Sequence, residues 1–373
     1  MQKVGIICEY NPFHNGHIYH INKIKELFPD EIIILVMSSN ITQRGDFSIL
    51  DKWEKTDIAL DYVDLVIELP SIYTIQSADG FAEGAITILK NLNVDKIVFG
   101  TETLNANDLN QIAQIQKSKK FNELVKKYLD DGINYPTALA KGVFKLTNIK
   151  IEKPNDLLGL SYIKELSNMN IKPIIIKRTN DYHSKDLNDK ITSATSIREA
   201  LKNKKDIEPY VPKKTYNYLK NYEENNYFKY LKYKIISEID NLSIYLNVDE
   251  GIENRIKKYI YNSCTLDDLI EKIKTKRYTY NKIKRMLLCI LLGITKEDNK
   301  KLKKIEYIRV LGFNKKGRNY LKKIKDSSKL PLITNYKSKY KSLELELKIA
   351  YIYYLNKKDK DYIIEYKHKP IIK

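Results

Sequence analysis

The chain opens on "VGIICEYNPFHNGHIYH" (residues 4–20), an apolar run joined by a polar loop to a helical pattern. The run Val4–Cys8 is typical of a buried strand, and apolar residues recur at helical spacing from Ile18 to Leu27. Three of the five histidines in the chain lie in this stretch. A continuous apolar strand that leads into a helix predicts the first unit of a parallel sheet with helices on both faces.

Four further apolar runs have the same character. They are Ile32–Met37, Val63–Leu69, Asp95–Gly100 and Pro173–Lys177. Strands of this kind that alternate with helices predict an α/β fold, with an N-terminal Rossmann-like parallel-sheet domain. Ligands of such sheets bind beyond the carboxyl ends of the strands. We therefore expect the loops that follow the first, fourth and fifth strands to form a site.

Charge is distributed unevenly along the 373 residues. Residues 1–200 hold 24 lysines and arginines against 26 acidic residues, whereas residues 201–373 hold 42 against 21. Helical patterns dominate the second half, notably at 265–294 and 342–355. We predict a catalytic domain at 1–205 and a basic, mainly α-helical domain at 206–373 that binds a polyanion. Codon bias that enriches lysine is an alternative reason for the charge, although it would act on both halves.

The cysteines and the apolar runs exclude several classes of protein. Cys8, Cys264 and Cys289 lie far apart and form no CxxC pair, which argues against a disulfide scaffold and a zinc ribbon. No apolar run approaches the roughly 20 residues of a membrane-spanning helix, and the N-terminus does not resemble a signal peptide. We expect a cytoplasmic protein without a membrane partner.

The loop sequence "HNGH" (His14–His17) fits the HxGH pattern of the nucleotidylyltransferase superfamily. A helix N-terminus beside the loop places backbone N–H groups near a triphosphate, and Gly16 allows close approach. His14 and His17 can donate hydrogen bonds to charge that develops on the phosphates. Loop histidines without a role and metal ligands are the alternatives; no fitting carboxylate or histidine spacing supports a metal.

The segment "SATSIREAL" (Ser193–Leu201) resembles the second signature of that superfamily, which opens a helix near the β- and γ-phosphates. Ser193 and Thr195 offer hydroxyls and amides at the helix start, and Arg198 offers a bidentate fork for phosphate. An ordinary helix cap is the alternative. We predict His14, His17 and Arg198 to be catalytic.

A longer succession of segments resembles the tRNA(Met) cytidine acetate ligase family. It comprises "GIICEYNPFHNGHIYH", "QRGDFSILDKWEKTDIAL", "DLVIELP", "SADGFAEGAI", "FGTE", "KPNDLLGLSYIKEL", "IIKRTNDYH" and "SATSIREAL", and in the basic half "KTKRYTYNKIKRMLLCILLGI", "YIRVLGFNKKGRNYLKKIK" and "LPLIT". The resemblance covers nearly the whole chain. The sequence departs from the family pattern at Ser39, where glycine is usual, and at Thr101, where serine is common.

The resemblance implies a two-step ligase. ATP activates acetate to acetyl-adenylate with release of pyrophosphate, and the acetyl group passes to the wobble cytidine of elongator tRNA(Met). The product is N(4)-acetylcytidine. We expect Mg²⁺ with the ATP, although no acidic pair marks a dedicated metal site.

The resemblance also implies an ATP site in the opening stretch and at five later positions. The predicted ATP-binding residues are Ile7, Cys8, Glu9, Tyr10, Asn11, Pro12, Phe13, His14, Asn15, Gly16, His17, Ile18, Tyr19, His20, Gly100, Asn155, Arg178, Ser193 and Thr195. Gly100 and Asn155 are also compatible with a plain turn or cap, and His20 with simple packing. Arg44 of "QRGD" is compatible with a tRNA or carboxylate contact, or with an exposed loop.

The basic half interleaves lysines and arginines with tyrosines, which suits phosphates and unpaired bases of RNA. The predicted tRNA-binding residues are Lys274, Lys276, Arg277, Tyr278, Lys282, Lys284, Arg285, Arg309, Lys315, Lys316 and Arg318. The alternative is a solvated helix face with tyrosines in the core.

Two other functions compete with the ligase. A small-molecule adenylyltransferase shares the opening motifs but needs no basic half. A non-catalytic RNA-binding protein with a nucleotide sensor would not need His14, Gly16, His17 and Arg198 intact. The pattern leaves the oligomeric state open.

Overall fold

A computed structural model describes residues 2–177, 192–224, 226–355, 357 and 364–373. Eight strands in these ranges form one sheet. They are β1 (Lys3–Cys8), β2 (Ile32–Ser38), β3 (Leu65–Leu69), β4 (Lys96–Thr101), β5 (Lys172–Lys177), β6 (Ile308–Phe313), β7 (Leu332–Ile333) and β8 (Ile371–Ile372). Their order is β5–β4–β1–β2–β3–β6–β7, with β8 paired to β6.

The α-helices of the described ranges lie in two groups along the chain. The first group is α1 (Asn15–Leu27), α2 (Lys52–Ala59), α3 (Ser71–Thr74), α4 (Ala78–Asn91), α5 (Ala106–Ile115), α6 (Lys119–Asp130), α7 (Tyr135–Thr147), α8 (Pro154–Leu166) and α9 (Ala194–Lys202). The second is α10 (Lys213–Leu219), α11 (Phe228–Ser237), α12 (Ile252–Tyr259), α13 (Leu266–Ile273), α14 (Tyr280–Leu292), α15 (Lys296–Leu302), α16 (Lys315–Ile324), α17 (Lys341–Tyr354) and α18 (Ile364–Lys367).

The five predicted strands pair parallel to one another, each within two residues of its predicted bounds. Alternate side chains of β2 enter two different cores. Ile32, Ile34 and Val36 pack with α4, whereas Ile33 and Leu35 pack with α1 and α2. Every residue of β2 is buried, which is why its sequence reads as an uninterrupted apolar run. The predicted fold class is confirmed.

The second half is mainly helical, as predicted, but it also returns to the sheet. Strand β6 pairs antiparallel with β3, and β7 and β8 then pair with β6. The apolar, β-branched run in "YIRVLGF" is the signal that would have predicted β6. The helical pattern at 265–294 is divided into α13 and α14 by the segment 274–279, since Thr279 caps α14 by accepting from the Lys282 N–H.

None of the helices in the described ranges has the length and apolar character needed to cross a membrane.

Candidate active site

The histidines of the first loop serve as caps of helix α1. His14 is the N-cap, and its Nδ1 accepts a hydrogen bond from the Gly16 N–H at 3.0 Å. The Nδ1 of His17 accepts from the His14 N–H at 3.2 Å, and the two ring centroids are 3.9 Å apart. In a neutral imidazole an accepting Nδ1 places the proton on Nε2. Both rings therefore carry a Nε2–H donor at the start of a helix, where anions are favoured.

Buried aromatic side chains anchor this loop to the protein core. Tyr10 and Phe13 are 1% and 0% exposed, and their rings lie 4.7 Å apart. The Tyr10 ring also contacts the His17 ring at 4.7 Å, and Phe13 stacks on Tyr62. These two side chains belong to the core, so only their backbone is placed to contact a nucleotide. Their contribution to the site is to orient His17.

Helix α9 meets the first loop although the two are 187 residues apart in sequence. The Arg198 guanidinium donates to the Asn11 carbonyl at 2.6 Å and to the Thr195 hydroxyl at 3.2 Å. Ser193 caps the helix by accepting from the Ser196 N–H at 3.1 Å. Burial lowers the pKa of Arg198, which stays cationic because an arginine titrates far above neutrality. The structure therefore brings His14, His17 and Arg198 to one edge of the sheet.

The loop after β4 is organised by the start of helix α8. The buried Asp156 carboxylate accepts from the Glu102 N–H at 2.8 Å and from the Thr103 N–H at 3.2 Å. Asn155 donates from Nδ2 to the Glu102 carboxylate at 2.7 Å. Strands β1 and β4 are parallel neighbours, so this loop lies at the same edge as His14 and His17. Asp156 was not among the residues predicted from the sequence, although a carboxylate in the first turn of a helix is a signal for such a role.

A buried lysine joins the ends of β1 and β2. Lys55 of α2 is 0% exposed, and its Nζ donates to the carbonyls of Glu9, Ser38 and Ser39 at 2.7–3.0 Å. Burial lowers its pKa, whereas three carbonyl acceptors favour the ammonium form. Lys55 was not predicted from the sequence, because α2 (KWEKTDIA) carries several other charged and polar side chains and no feature of the pattern singles out this lysine.

The remaining predicted ATP-binding residues fall into three groups. Asn11 and Pro12 are buried with Tyr10, Phe13 and His14. Partly buried residues along the same edge are Ile7, Cys8, Glu9, Asn15, Gly16, His17, Ile18, Tyr19, His20, Gly100, Asn155 and Thr195. Arg178 lies outside the described residues.

The predicted tRNA-binding residues differ widely in exposure. Lys274, Lys276, Arg277, Lys315 and Arg318 are exposed. Lys282, Lys284, Arg285 and Lys316 are partly buried. Lys316 donates to the Glu31 carbonyl at 2.6 Å, and Arg285 to the Gln43 carbonyl at 3.1 Å.

Two of these predicted tRNA contacts need correction. Arg309 is 1% exposed and pairs with Glu68 at 3.2 Å and Glu365 at 2.5 Å, so its charge is neutralised inside the protein. Tyr278 is 4% exposed, and its hydroxyl donates to the Asp249 carbonyl at 2.5 Å. Neither side chain is accessible to RNA in this arrangement.

No metal-binding cluster of three or more histidine, cysteine or carboxylate side chains occurs among the described residues.

Comparison with known proteins places this geometry in a family. The chain matches the family model described as HIGH Nucleotidyl Transferase over residues 1–367. It is 39% identical over 318 residues to a tRNA(Met) cytidine acetate ligase of Anoxybacillus flavithermus, covering 80% of this chain and 79% of the relative. The enzyme of the same name from Clostridium tetani is 37% identical over 404 residues, covering 100% of both chains.

Two solved structures of Thermotoga maritima TmcAL have the same fold over the whole length. The apo structure has a TM-score of 0.91 at 28% identity and covers 100% of this chain and 99% of that one. The structure of that protein bound with alpha-thio ATP has a TM-score of 0.88. The chain therefore belongs to the HIGH nucleotidyl transferase family and, within it, to the tRNA(Met) cytidine acetate ligases.

Proposed function

We propose that this protein uses ATP and acetate to acetylate the wobble cytidine of elongator tRNA(Met). The observation that carries the proposal is the meeting of His14, His17 and Arg198 at the carboxyl edge of a parallel sheet, in a chain of this family. The relatives' printed name and the nucleotide bound to the Thermotoga protein support the substrates.

In the first step, a carboxylate oxygen of acetate attacks the α-phosphorus of ATP and pyrophosphate leaves. The Nε2–H groups of His14 and His17 donate to the phosphates, where negative charge increases as the bond breaks. Arg198 adds a fixed positive charge beside the same loop. A Mg²⁺ ion bound to the phosphates of ATP would neutralise part of their charge.

In the second step, the exocyclic amine of cytidine attacks the acetyl carbonyl carbon. AMP leaves, the amine loses a proton, and N(4)-acetylcytidine forms. Residues 1–205 bind ATP and acetate, and residues 206–373 bind the tRNA through exposed basic side chains such as Lys274, Lys276 and Arg277. We place the reaction in the cytoplasm, where tRNA and ATP are available.

The test is to incubate the purified protein with elongator tRNA(Met), ATP and radiolabelled acetate, and to digest the tRNA to nucleosides. We expect label in N(4)-acetylcytidine, dependent on ATP. Label from acetyl-coenzyme A but not from acetate would overturn the mechanism. Pyrophosphate release that depends on a nucleotide-like acceptor in place of acetate would instead support a small-molecule adenylyltransferase.

A further inference from the structure

The segment 41–47 ("ITQRGDF") forms a tight hairpin that presents an arginine at its tip. The Thr42 N–H donates to the Asp46 carbonyl at 2.9 Å, and the Gly45 N–H donates to the Thr42 carbonyl at 3.0 Å. Gly45 has a φ of +88°, which favours glycine. Arg44 is therefore held at a defined place in the turn.

On one side the hairpin is fastened to the loop that follows β1. The Gln43 N–H donates to the Glu9 carboxylate at 2.5 Å. The Glu9 carbonyl in turn accepts from the buried Lys55 at 3.0 Å. These hydrogen bonds therefore connect the hairpin to the loop that carries His14 and His17.

On the other side the hairpin lies against helix α14. Arg285 donates to the Gln43 carbonyl at 3.1 Å, and Lys284 pairs with Asp46. A Cβ atom added to Gly45 would lie 2.3 Å from the Arg285 backbone nitrogen, so turn and helix are in direct contact. Burial lowers the pKa of Arg285 to about 10. This guanidinium is directed at the hairpin backbone, where it fixes the position of the turn.

Charged groups from several parts of the site act on the pKa of Arg44. Burial and the neighbouring Arg198 of α9 lower it, whereas the carboxylates of Glu9, Asp46 and Glu102, from the loop after β1, the hairpin itself and the loop after β4, raise it. Arg44 and Arg198 are both partly buried, and burial lowers the pKa of each. Two partly desolvated cations at one sheet edge attract an anion more strongly than either alone.

We propose that Arg44 binds an oxyanion at the reacting centre, and that Arg285 is a positioning residue that holds the Arg44 hairpin in place. The oxyanion is the carboxylate of acetate or a phosphate of ATP. The inference rests on the proposed function and deepens it, because it assigns a binding residue to the adenylation step. It also replaces the predicted tRNA contact of Arg285 with a role inside the catalytic site.

The test is acetate-dependent exchange of labelled pyrophosphate into ATP, without tRNA, together with direct ATP binding. We expect Arg44→Gln to lower the exchange rate at least about tenfold, since it removes a charge-assisted contact. A higher KM for acetate at unchanged ATP affinity identifies the carboxylate as the ligand, and weaker ATP binding identifies a phosphate. Unchanged exchange kinetics and ATP affinity would overturn the proposal.

The positioning role is tested by Arg285→Ala and, independently, by Gly45→Ala. Both should raise the same KM or Kd that Arg44→Gln raises, with tRNA affinity within about twofold of wild type. The double variant should be no worse than the single ones, because both displace one hairpin. Arg285→Lys should partly restore the rate. Asn281→Ala, exposed on the same helix, is the matched control and should behave as wild type.

Two outcomes separate the inference from the proposed function. Wild-type protein without acetate-dependent exchange would contradict the function itself. The positioning role alone would be overturned if the wild-type protein is active and Arg285→Ala weakens tRNA binding without changing the pyrophosphate exchange rate.

Discussion

At the scale of single residues, each histidine of the first loop uses its two ring nitrogens differently. The Nδ1 atoms of His14 and His17 accept backbone N–H groups and so cap helix α1. The same bonds fix the proton on Nε2, which makes each ring a hydrogen-bond donor. The same ring orientation thus caps the helix through Nδ1 and presents the Nε2–H donor. A substitution that keeps the cap but removes the donor can separate the two roles.

We predict that His17→Gln preserves folding but lowers adenylate formation about 10²- to 10³-fold. Glutamine at this helical position can still accept the His14 N–H, as in a capping box, yet it cannot place the same Nε2–H donor. Pyrophosphate exchange and thermal unfolding measure the two effects. His17→Ala is the comparison, and it should also lose about 1 kcal/mol of stability. A His17→Gln protein with wild-type exchange would contradict the donor role.

At the scale of elements, helix α17 supports the loops that follow β2 and β3. Its Glu346 is 2% exposed and accepts from the Ser71 N–H at 2.5 Å and the Ser71 hydroxyl at 2.7 Å. The Ser39 hydroxyl lies 3.2 Å from the same carboxyl group. The Ser39 hydroxyl therefore adds a contact between α17 and the loop that follows β2.

Burial raises the pKa of Glu346 to about 7, and the nearby Glu68 adds to the shift. The unfolded carboxyl titrates near 4.3, so the folded protein binds the proton more tightly. This stabilisation is fully present below about pH 4.3 and is lost as pH rises through 7. We predict that Glu346→Gln reduces the loss of stability between pH 5.5 and pH 8, by on the order of 1–2 kcal/mol.

Thermal unfolding at the two pH values measures this effect. Glu344→Gln is the matched control, because Glu344 is exposed on the same helix. An identical pH dependence in wild type and Glu346→Gln would show that Glu346 does not titrate in this range.

At the scale of the whole molecule, four buried charges connect distant parts of the chain. Lys52 of α2 pairs with Glu68 of β3 and with Glu365 of α18, each at 2.5 Å. Arg309 of β6 pairs with the same two carboxylates. Two cations and two anions balance, and all four side chains are 1% exposed. This cluster fastens the C-terminal residues to the first half of the sheet.

We predict that Glu365→Ala destabilises the protein by about 3–5 kcal/mol, since it leaves buried cations with one carboxylate fewer. Urea unfolding measures the change. Glu26→Ala, which removes an exposed pair with Lys23, should cost less than about 1 kcal/mol. Equal effects in the two variants would mean that the cluster does not stabilise the fold.

For RNA binding, we predict that replacing Lys274, Lys276 and Arg277 together by alanine weakens tRNA affinity and flattens its salt dependence. The slope of log K against log salt concentration should fall by about 2–3, as expected for three lost phosphate contacts. Binding titrations at several salt concentrations measure it. A slope equal to that of wild type would exclude this surface from the tRNA interface.

Much of the fold and part of the site could be predicted because they depend on residues that are close together in the sequence. The β2 run is apolar since both faces of the strand are buried, and His14 and His17 are caps one turn apart. Strand β6 was not predicted although its β-branched run was a signal, because its antiparallel partner β3 lies in the first half of the chain. Helices α5 to α7, between β4 and α8, were also not identified.

By itself, the sequence determined the α/β class, the strand–loop–helix with its histidines, and the family. Only the tertiary structure decided which charges face solvent, because burial of an ion depends on partners far away in the chain. In the sequence, Arg309 cannot be distinguished from the exposed basic residues. The structure shows that it pairs with Glu68, 241 positions earlier, inside the protein. In the same way, Arg285 lies against the hairpin at residues 41–47 because α14 packs there, and the Gln43 carbonyl offsets the cost of removing the guanidinium from water.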